Sequence, residues 1–458
     1  MKALLIALFG SFFFIGNSFA VEFSGHTPPP DSSSSIIDKT AALYLIDEGK
    51  KLLNQGRTRD ALQKFREAFV KDKYNSKAAY WIGEAHYKLD NFGYALRYGK
   101  TAEALSQASD GDVFFLLGRA YHRQNILDSA KMNYELADIQ LSQALKKAYN
   151  LGLYLEEIKY ALSVSNYERK YQKELLGDNI NSGYDDYNAL ISDDGKTMYF
   201  VSRRPETKGS NINPDDQRYF EDIYISRWDS ENNEWGRGVN EIDRLNSNGF
   251  DALNYISKDG MEAYLTINTS ILDQKKVTKS SDICISNFTK EHRWSVPKPI
   301  KNKTINTSFF DGAPTLTEDG SIMYFVSDRE GNKSKSDIYV VEKVGNSWGT
   351  AKKLPMNVNT TENETTPYIT PDNKFLFYSS NGKKGMGGYD VYVTENMGDG
   401  TWGEPVNLGP DFNTVNDDIF FKYYPELNKG VISTYTLEGQ KSSMDIYELK
   451  LEGWKIPK

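Results

Sequence analysis

Two apolar runs, IMYFV (322–326) and IYVV (338–341), flank a polar loop in the stretch DGSIMYFVSDREGNKSKSDIYVV. Each run is introduced by an aspartate, Asp319 before a glycine and Asp337 before an isoleucine. The pattern recurs from residue 170 onward. An Asn-Ser/Thr pair stands at Asn181, Asn246, Asn306, Asn359 and Asn413. A turn follows at Gly195, Gly260, Gly320 and Asn373, and in degenerate form at Gly430. Next come DIYIS at Asp222, DICIS at Asp282, DIYVV at Asp337, DVYVT at Asp390 and DIYEL at Asp445. A tryptophan closes each unit, at Trp235, Trp294, Trp348, Trp402 and Trp454. Turn signals divide every unit into about four short strands, with Asp-Gly marking the hairpin between the first two. A carboxylate that returns in the same corner of every unit belongs to turn and strand-start chemistry, whereas an active site needs one constellation.

A second period governs residues 38 to about 165. Gly49, Gly83, Gly118 and Gly152 lie 34, 35 and 34 residues apart. Ala61, Ala95 and Ala130 each follow their glycine by twelve residues. Phe65, Gly99 and Tyr134 come four further on, then Ala68, Ala102 and Ala137. Small residues at fixed points let paired helices approach, and such pairs must stack to bury their apolar faces. These residues resemble tetratricopeptide repeats, and Gly118, Tyr121, Ala130 and Tyr134 match best. The closing proline is missing throughout, Gly99 replaces an aromatic, and the fourth unit reads as a capping helix. The resemblance implies a concave groove holding a partner peptide, lined by Lys50, Asn54, Tyr80, Glu84, Tyr87, Phe115, Arg119, His122 and Arg123. Several of these would equally serve to pack one repeat on the next.

Five four-stranded units of one pattern predict a β-propeller, which leaves few open sheet edges. The stretch APTLTEDGSIMYFVSD resembles the WD-repeat-like repeats of TolB-type propellers, through Pro314, Thr317, Asp319, Gly320, Phe325 and Ser327. GKKGMGGYDVYV and WGEPVNLGPDFNT, within 382–414, are similar to exported Bacteroidetes proteins that join such propellers to tetratricopeptide repeats. That group serves outer-membrane complexes, including type IX secretion and gliding machinery. Its members often continue into an OmpA-like domain, which is not expected here because the sequence ends four residues after Trp454. YQKELLG (171–177) precedes the first unit and is expected to share ring closure with the strand at Trp454. The expected fold is multidomain α + β, with a helical solenoid over 38–165 and an all-β, five-bladed propeller over 166–458.

Composition changes the setting more than the fold. Lys2, the apolar run Ala3–Ile15 and Ser18-Phe19-Ala20 form an export signal over 1–20. The run falls short of the ~20 residues that span a bilayer. Residues 21–37 are a Pro- and Ser-rich linker. One cysteine, Cys284, excludes an intramolecular disulfide. A net charge of −8 without a basic block argues against nucleic acid. The expected location is the periplasm or outer membrane of a Gram-negative bacterium, with envelope proteins or peptide segments as partners.

Candidate chemistry is sparse. Gly345-Asn-Ser347-Trp-Gly349 spells G-x-S-x-G, but between predicted strands and with no histidine after His292. His26, His86, His122 and His292 lack metal-ligand spacing. Cys284 replaces the tyrosine of its strand and reads as buried filler. Asp185-Asp186 and Asp417-Asp418 would either hold calcium or complete turns. Arg203 and Arg204 stand at a strand end suited to carboxylate or phosphate groups. No catalytic set, metal site or cofactor is expected. The sequence thus favours an exported, non-enzymatic scaffold over two alternatives, a sensor binding a glycan or peptidoglycan fragment and a propeller hydrolase or lyase.

Overall fold

The computed structural model describes residues 34–208, 212–213, 218–242, 244–268, 280–331 and 335–458. The export signal read at 1–20, and the linker up to residue 33, lie outside the described residues. Eight helices come first: α1 (Ile36–Asn54), α2 (Thr58–Lys71), α3 (Ser76–Lys88), α4 (Phe92–Ser106), α5 (Gly111–Arg123), α6 (Leu127–Gln140), α7 (Gln143–Ala148) and α8 (Leu151–Ser163). Three hairpins, α1 with α2, α3 with α4 and α5 with α6, stack in order, and α8 lies on α6. The repeat's two marks prove to be the two sides of one contact. A Cβ at Gly49 would collide with the Phe65 ring, and one at Gly118 would stand 2.5 Å from Tyr134 Cδ1. Where Gly99 replaces the aromatic, Gly83 instead faces Leu116 of the next repeat. Gly152 has open space around it, in keeping with a helix that caps the stack.

Five antiparallel sheets follow. The first blade is β2 (Asp186–Ile191), β3 (Thr197–Ser202), β4 (Asp222–Asp229) and β5 (Glu234–Trp235). The second is β6 (Phe250–Ile256), β7 (Glu262–Asn268), β8 (Asp282–Asn287) and β9 (Lys298–Pro299). The third is β10 (Asp311–Leu316), β11 (Ile322–Ser327), β12 (Asp337–Val344), β13 (Ser347–Trp348) and β14 (Lys352–Lys353). The fourth is β15 (Glu364–Ile369), β16 (Phe375–Ser380), β17 (Asp390–Glu395) and β18 (Val406–Asn407). The last combines β19 (Ile419–Tyr424), β20 (Lys429–Glu438) and β21 (Lys441–Lys450) with β1 (Gln172–Leu175). The first strands β2, β6, β10, β15 and β19 neighbour one another in a closed ring. The chain therefore folds as tetratricopeptide-like helices followed by a five-bladed propeller.

Ring closure differs from the sequence expectation in one respect. β1 pairs with β21 from Gln172 opposite Lys450 to Leu175 opposite Tyr447. Trp454 lies beyond that strand, edge-on to Tyr423 at 4.9 Å and against Phe412 at 5.2 Å. It seals the apolar layer under the closing blade and takes no part in the sheet.

The recurring asparagines tie the blades together. Asn246 Oδ1 accepts from Ile223 N at 2.9 Å, and its Nδ2 donates to Ile223 O at 2.9 Å. Asn306 brackets Ile283, Asn359 brackets Ile338, and Asn413 brackets Val391 in the same way. Each reaches from the connecting loop back to the preceding blade's third strand, directly after its Asp-aliphatic motif. Asn181 brackets Ile446 of β21, so the first connector clasps the last blade. The following Ser or Thr and the acid four residues on from it form a corner, as in Thr307 N and Oγ1 on Asp311 at 2.6 and 2.7 Å. The opening aspartates are structural as well. Asp319 accepts from Thr317 Oγ1 and Ser321 N in its turn, at 2.6 and 3.0 Å. Asp337 is ion-paired with Lys353 at 2.8 Å.

Asn359 is fully buried, so Asn359→Ala leaves both backbone groups of Ile338 without partners. Each unmet buried group costs about 1–3 kcal/mol. The expected result is a loss of about 2–4 kcal/mol, read as a lower calorimetric midpoint than that of Asn54→Ala at an exposed site. Equal midpoints for the two variants would contradict the bracket's role.

Candidate functional site

The turn from α3 into α4, the end of α5 and one face of α8 meet the propeller directly. Phe92 packs edge-on against Tyr435 of β20 at 5.7 Å. Arg218 Nη2 donates to Leu89 O and Asp90 at 2.9 and 3.0 Å, while its Nη1 binds Asp185 at 2.7 Å. The propeller loop Gly385–Tyr389 enters beside α5. His122 Nε2 donates to Met386 O at 2.8 Å, which leaves Nδ1 to accept from Tyr134 Oη at 3.3 Å. Burial, and then the charge of Arg123, push the His122 imidazole down to about 4, so it stays neutral. Gly388 has φ +67°, and any side chain there would run into Arg123 and Asp417. That is the local reason for the glycine-rich GMGG sequence.

Between the two walls lies a cavity of about 320 Å³. Tyr87, Arg119, Arg123, Tyr149, Tyr154 and Glu157 line its helical side, and Glu362, Asn381, Tyr389 and Asp417 its propeller side. Arg119 is ion-paired with Glu84 and lies over the rings of Tyr87 and Phe115, at 4.5 and 4.6 Å. Arg123 Nη2 binds Asp417 Oδ1 across the gap at 2.9 Å, and its Nε reaches Tyr87 Oη at 3.3 Å. Tyr389 N also donates to Asp417 Oδ1, at 3.2 Å. Three buried polar atoms on the lining residues have no partner among the described residues: Arg119 Nε, Arg123 Nη1 and Glu157 Oε2. All three are packed behind the cavity wall with almost no exposed surface, out of reach of a ligand in the cavity. Burial raises the Glu157 carboxyl to about 8; the nearby Arg123 opposes this and Asp417 reinforces it. Glu157 is therefore protonated at neutral pH, in the same cavity as the ion-paired Asp417.

The predicted site residues divide. Tyr87, Arg119, His122 and Arg123 line the cavity, while Glu84 and Phe115 hold Arg119 from behind. Tyr80 packs edge-on to Trp81, Lys50 lies 5.0 Å over Trp81, and Asn54 ends α1 away from the cavity. The propeller itself occupies the part of the groove that His122 and Arg123 were expected to offer a peptide. Arg203 and Arg204 are buried and committed within the blade. Arg203 Nε donates to Tyr219 O at 2.8 Å, and Arg204 pairs with Asp186 at 3.0 Å. The acidic pairs split likewise. Asp417 turns to Arg123, and Asp418 to Thr414 and Lys173. Ser347 lies in a β-hairpin, which removes the nucleophile-elbow geometry, and burial pushes the Cys284 thiol up to about 12.

Sequence reasoning missed Glu157, Tyr149, Tyr154, Glu362, Asn381 and Tyr389. For Glu157 a signal existed: it shares a face of α8 with Tyr154, Ile158 and Ala161, and an acid on a buried stripe needs a reason. Glu362 and Tyr389 stand in loops, where no period places them.

No family model matches the chain, and no curated protein matches it. Among solved structures it is similar to the first tetratricopeptide domain of Spaghetti bound to an HSP90 peptide, at 24% identity and TM-score 0.25, covering 27% of this chain and 95% of that one. It is similar to a glycoside hydrolase at 12% identity and TM-score 0.37, covering 66% and 98%. It is also similar to an α-L-arabinofuranosidase from Podospora anserina, at 11% identity and TM-score 0.35, covering 61% and 96%. At these identities the likeness speaks for the fold. The expectation of a non-enzymatic scaffold is not upheld: the similar propellers are a glycoside hydrolase and an arabinofuranosidase, and at these TM-scores they assign this chain no activity.

The raised carboxyl has a thermodynamic consequence. Between the ordinary glutamate range and about 8 the native state holds a proton that the unfolded chain has released, so stability falls as pH rises through that window. Thermal midpoints of the native protein should decline from pH 5 to pH 8.5, with a shallower decline for Glu157→Gln. Parallel profiles would contradict a buried, protonated Glu157.

Proposed function

We propose that the chain is a hydrolase that cleaves glycosidic bonds in the cavity between helices and propeller. The observation that carries this reading is a pair of carboxyl groups in different states within one pocket. Glu157 carries a proton on an otherwise unpartnered side chain, and Asp417 is ion-paired with Arg123. Environments that separate two carboxyl groups in this way assign an acid and a base. Both hydrogen bonds to Asp417 fall on Oδ1, which leaves Oδ2 for a water molecule.

The step balances without a cofactor. Glu157 gives its proton to the leaving oxygen as the anomeric C–O bond breaks. Water adds to the anomeric carbon and its proton passes to Asp417, and exchange with solvent restores both groups. Tyr87, Tyr149, Tyr154 and Tyr389 supply ring faces and hydroxyls against a sugar. The export signal read over residues 1–20 is in keeping with work in the cell envelope, where glycans are at hand.

Release of p-nitrophenol from aryl glycosides, and of reducing sugar from unactivated ones, tests the reading. Glu157→Gln should lower kcat on unactivated glycosides by about 10²–10⁴. The loss should be much smaller on p-nitrophenyl glycosides, whose leaving group needs little protonation. Asp417→Asn should slow both substrates alike. Binding of sugars without turnover would contradict the reading and favour a sensor.

A further inference from the structure

The seam of the ring carries an open sheet edge, a feature independent of the cavity and of the hydrolase reading. β1 is the outer strand of the closing blade and pairs with β21 on one side only. The outer strands β5, β9 and β18 of other blades are two residues long, whereas β1 has four. Leu176 N donates to Ile446 O at 3.1 Å. By alternation Gln172 and Glu174 take the bonded places opposite β21, and the backbone groups of Lys173 and Leu175 face the open edge. Neither residue has a backbone partner there among the described residues. A sheet edge of this kind accepts a further strand.

A groove of about 1040 Å³ opens between β1 and the outer hairpin of the first blade at Trp228 and Glu234. Its charge is unbalanced. Lys450 pairs with Glu174 at 2.7 Å, and Lys429 with Glu448 at 2.9 Å. That leaves Asp178, Glu234 and Glu452, exposed lining residues with no ion pair among the described residues. The groove already holds a cation of its own, since Lys429 Nζ lies 5.5 Å over the Trp228 ring. On the other face of β1, Leu175 is 48% exposed. Side chains alternate between the faces of a strand, so a strand added to β1 sets one row beside the acids and the other beside Leu175. We infer that the seam binds an extended segment of a partner protein in which basic and apolar residues alternate, taken up as a fifth strand on β1.

Calorimetric titration of the full chain with the peptide acetyl-Thr-Lys-Val-Lys-Thr-Lys-amide tests this. The expected result is binding at low salt that weakens as salt is added, and none for the same peptide with glutamate at each lysine. Two further peptides carry N-methyl groups on alternate residues, one at the lysines and the other between them. An added strand bonds through alternate residues, so one of the two should bind about tenfold more weakly than the parent and the other should match it. Both retained, or both lost, would overturn strand addition. Glu234→Lys combined with Glu452→Lys, checked for an unchanged thermal midpoint, should weaken the parent peptide about tenfold. Unchanged affinity in that variant would overturn the assigned place, and no binding of the parent peptide to the native chain would overturn the inference outright. So would a dimer at assay concentration that the two substitutions dissociate, because the occupant would then be a second copy.

Discussion

The pairing of β1 with β21 is the constraint on which the rest depends. A ring of five blades has no reason to stay shut unless its two ends are joined, and here four residues from before the first blade complete the last. The strand is short, so the segment leading to it is held by side chains. Tyr167 Oη and Lys170 N both bond Asp411, and Lys173 Nζ reaches Phe412 O and Asp418. Asn181 then brackets Ile446 from the other side. Because α8 ends at Ser163 and β1 starts at Gln172, closing the ring also fixes α8 beside the last two blades. The cavity is a consequence of that short tether, and Glu157 reaches the propeller because α8 has nowhere else to lie.

The charges between helices and propeller follow from the same tether. Asp90, Asp185, Asp417 and Glu157 are drawn together against Arg123 and Arg218. Where a carboxylate finds a guanidinium in good geometry it stays paired, as Asp417 and Asp185 do. Glu157 has no such partner, and in a medium of low polarity it keeps its proton. Burial likewise raises Asp90 to about 6, against the pull of Arg218. Conversely, His122 and His86 both fall to about 4 because burial disfavours the charged ring. The protonated Glu157 and the paired Asp417 thus come from one cause, the unequal supply of cations in a buried interface.

Much of this was legible in the sequence, and the limit has a physical origin. Repeats are visible because each unit meets the same neighbours: Gly118 against Tyr134, Asn306 around Ile283, Thr307 on Asp311. A contact made several times in one chain leaves a period. The cavity is made once, by α3, α5 and α8 and three propeller loops that are more than two hundred residues away, so no period records it. The groove residues Arg119, His122 and Arg123 were picked out by helix position, yet their partners Met386 and Asp417 were invisible. In the sequence Asp417 is only one half of an acidic pair, which the fold separates. The glycines of GMGG were noticed for their family likeness, and their role in admitting the loop beside Arg123 emerged only with φ and the close approach in view.

The proposed function turns on whether one carboxyl group keeps its proton at neutral pH. The most direct measurement is the titration of the Glu157 side chain by carbon NMR on glutamate-labelled protein, assigned with Glu157→Gln. The account predicts a midpoint near 8 that moves lower when Asp417→Asn removes the adjacent negative charge. A midpoint in the ordinary glutamate range near 4.5 would contradict it.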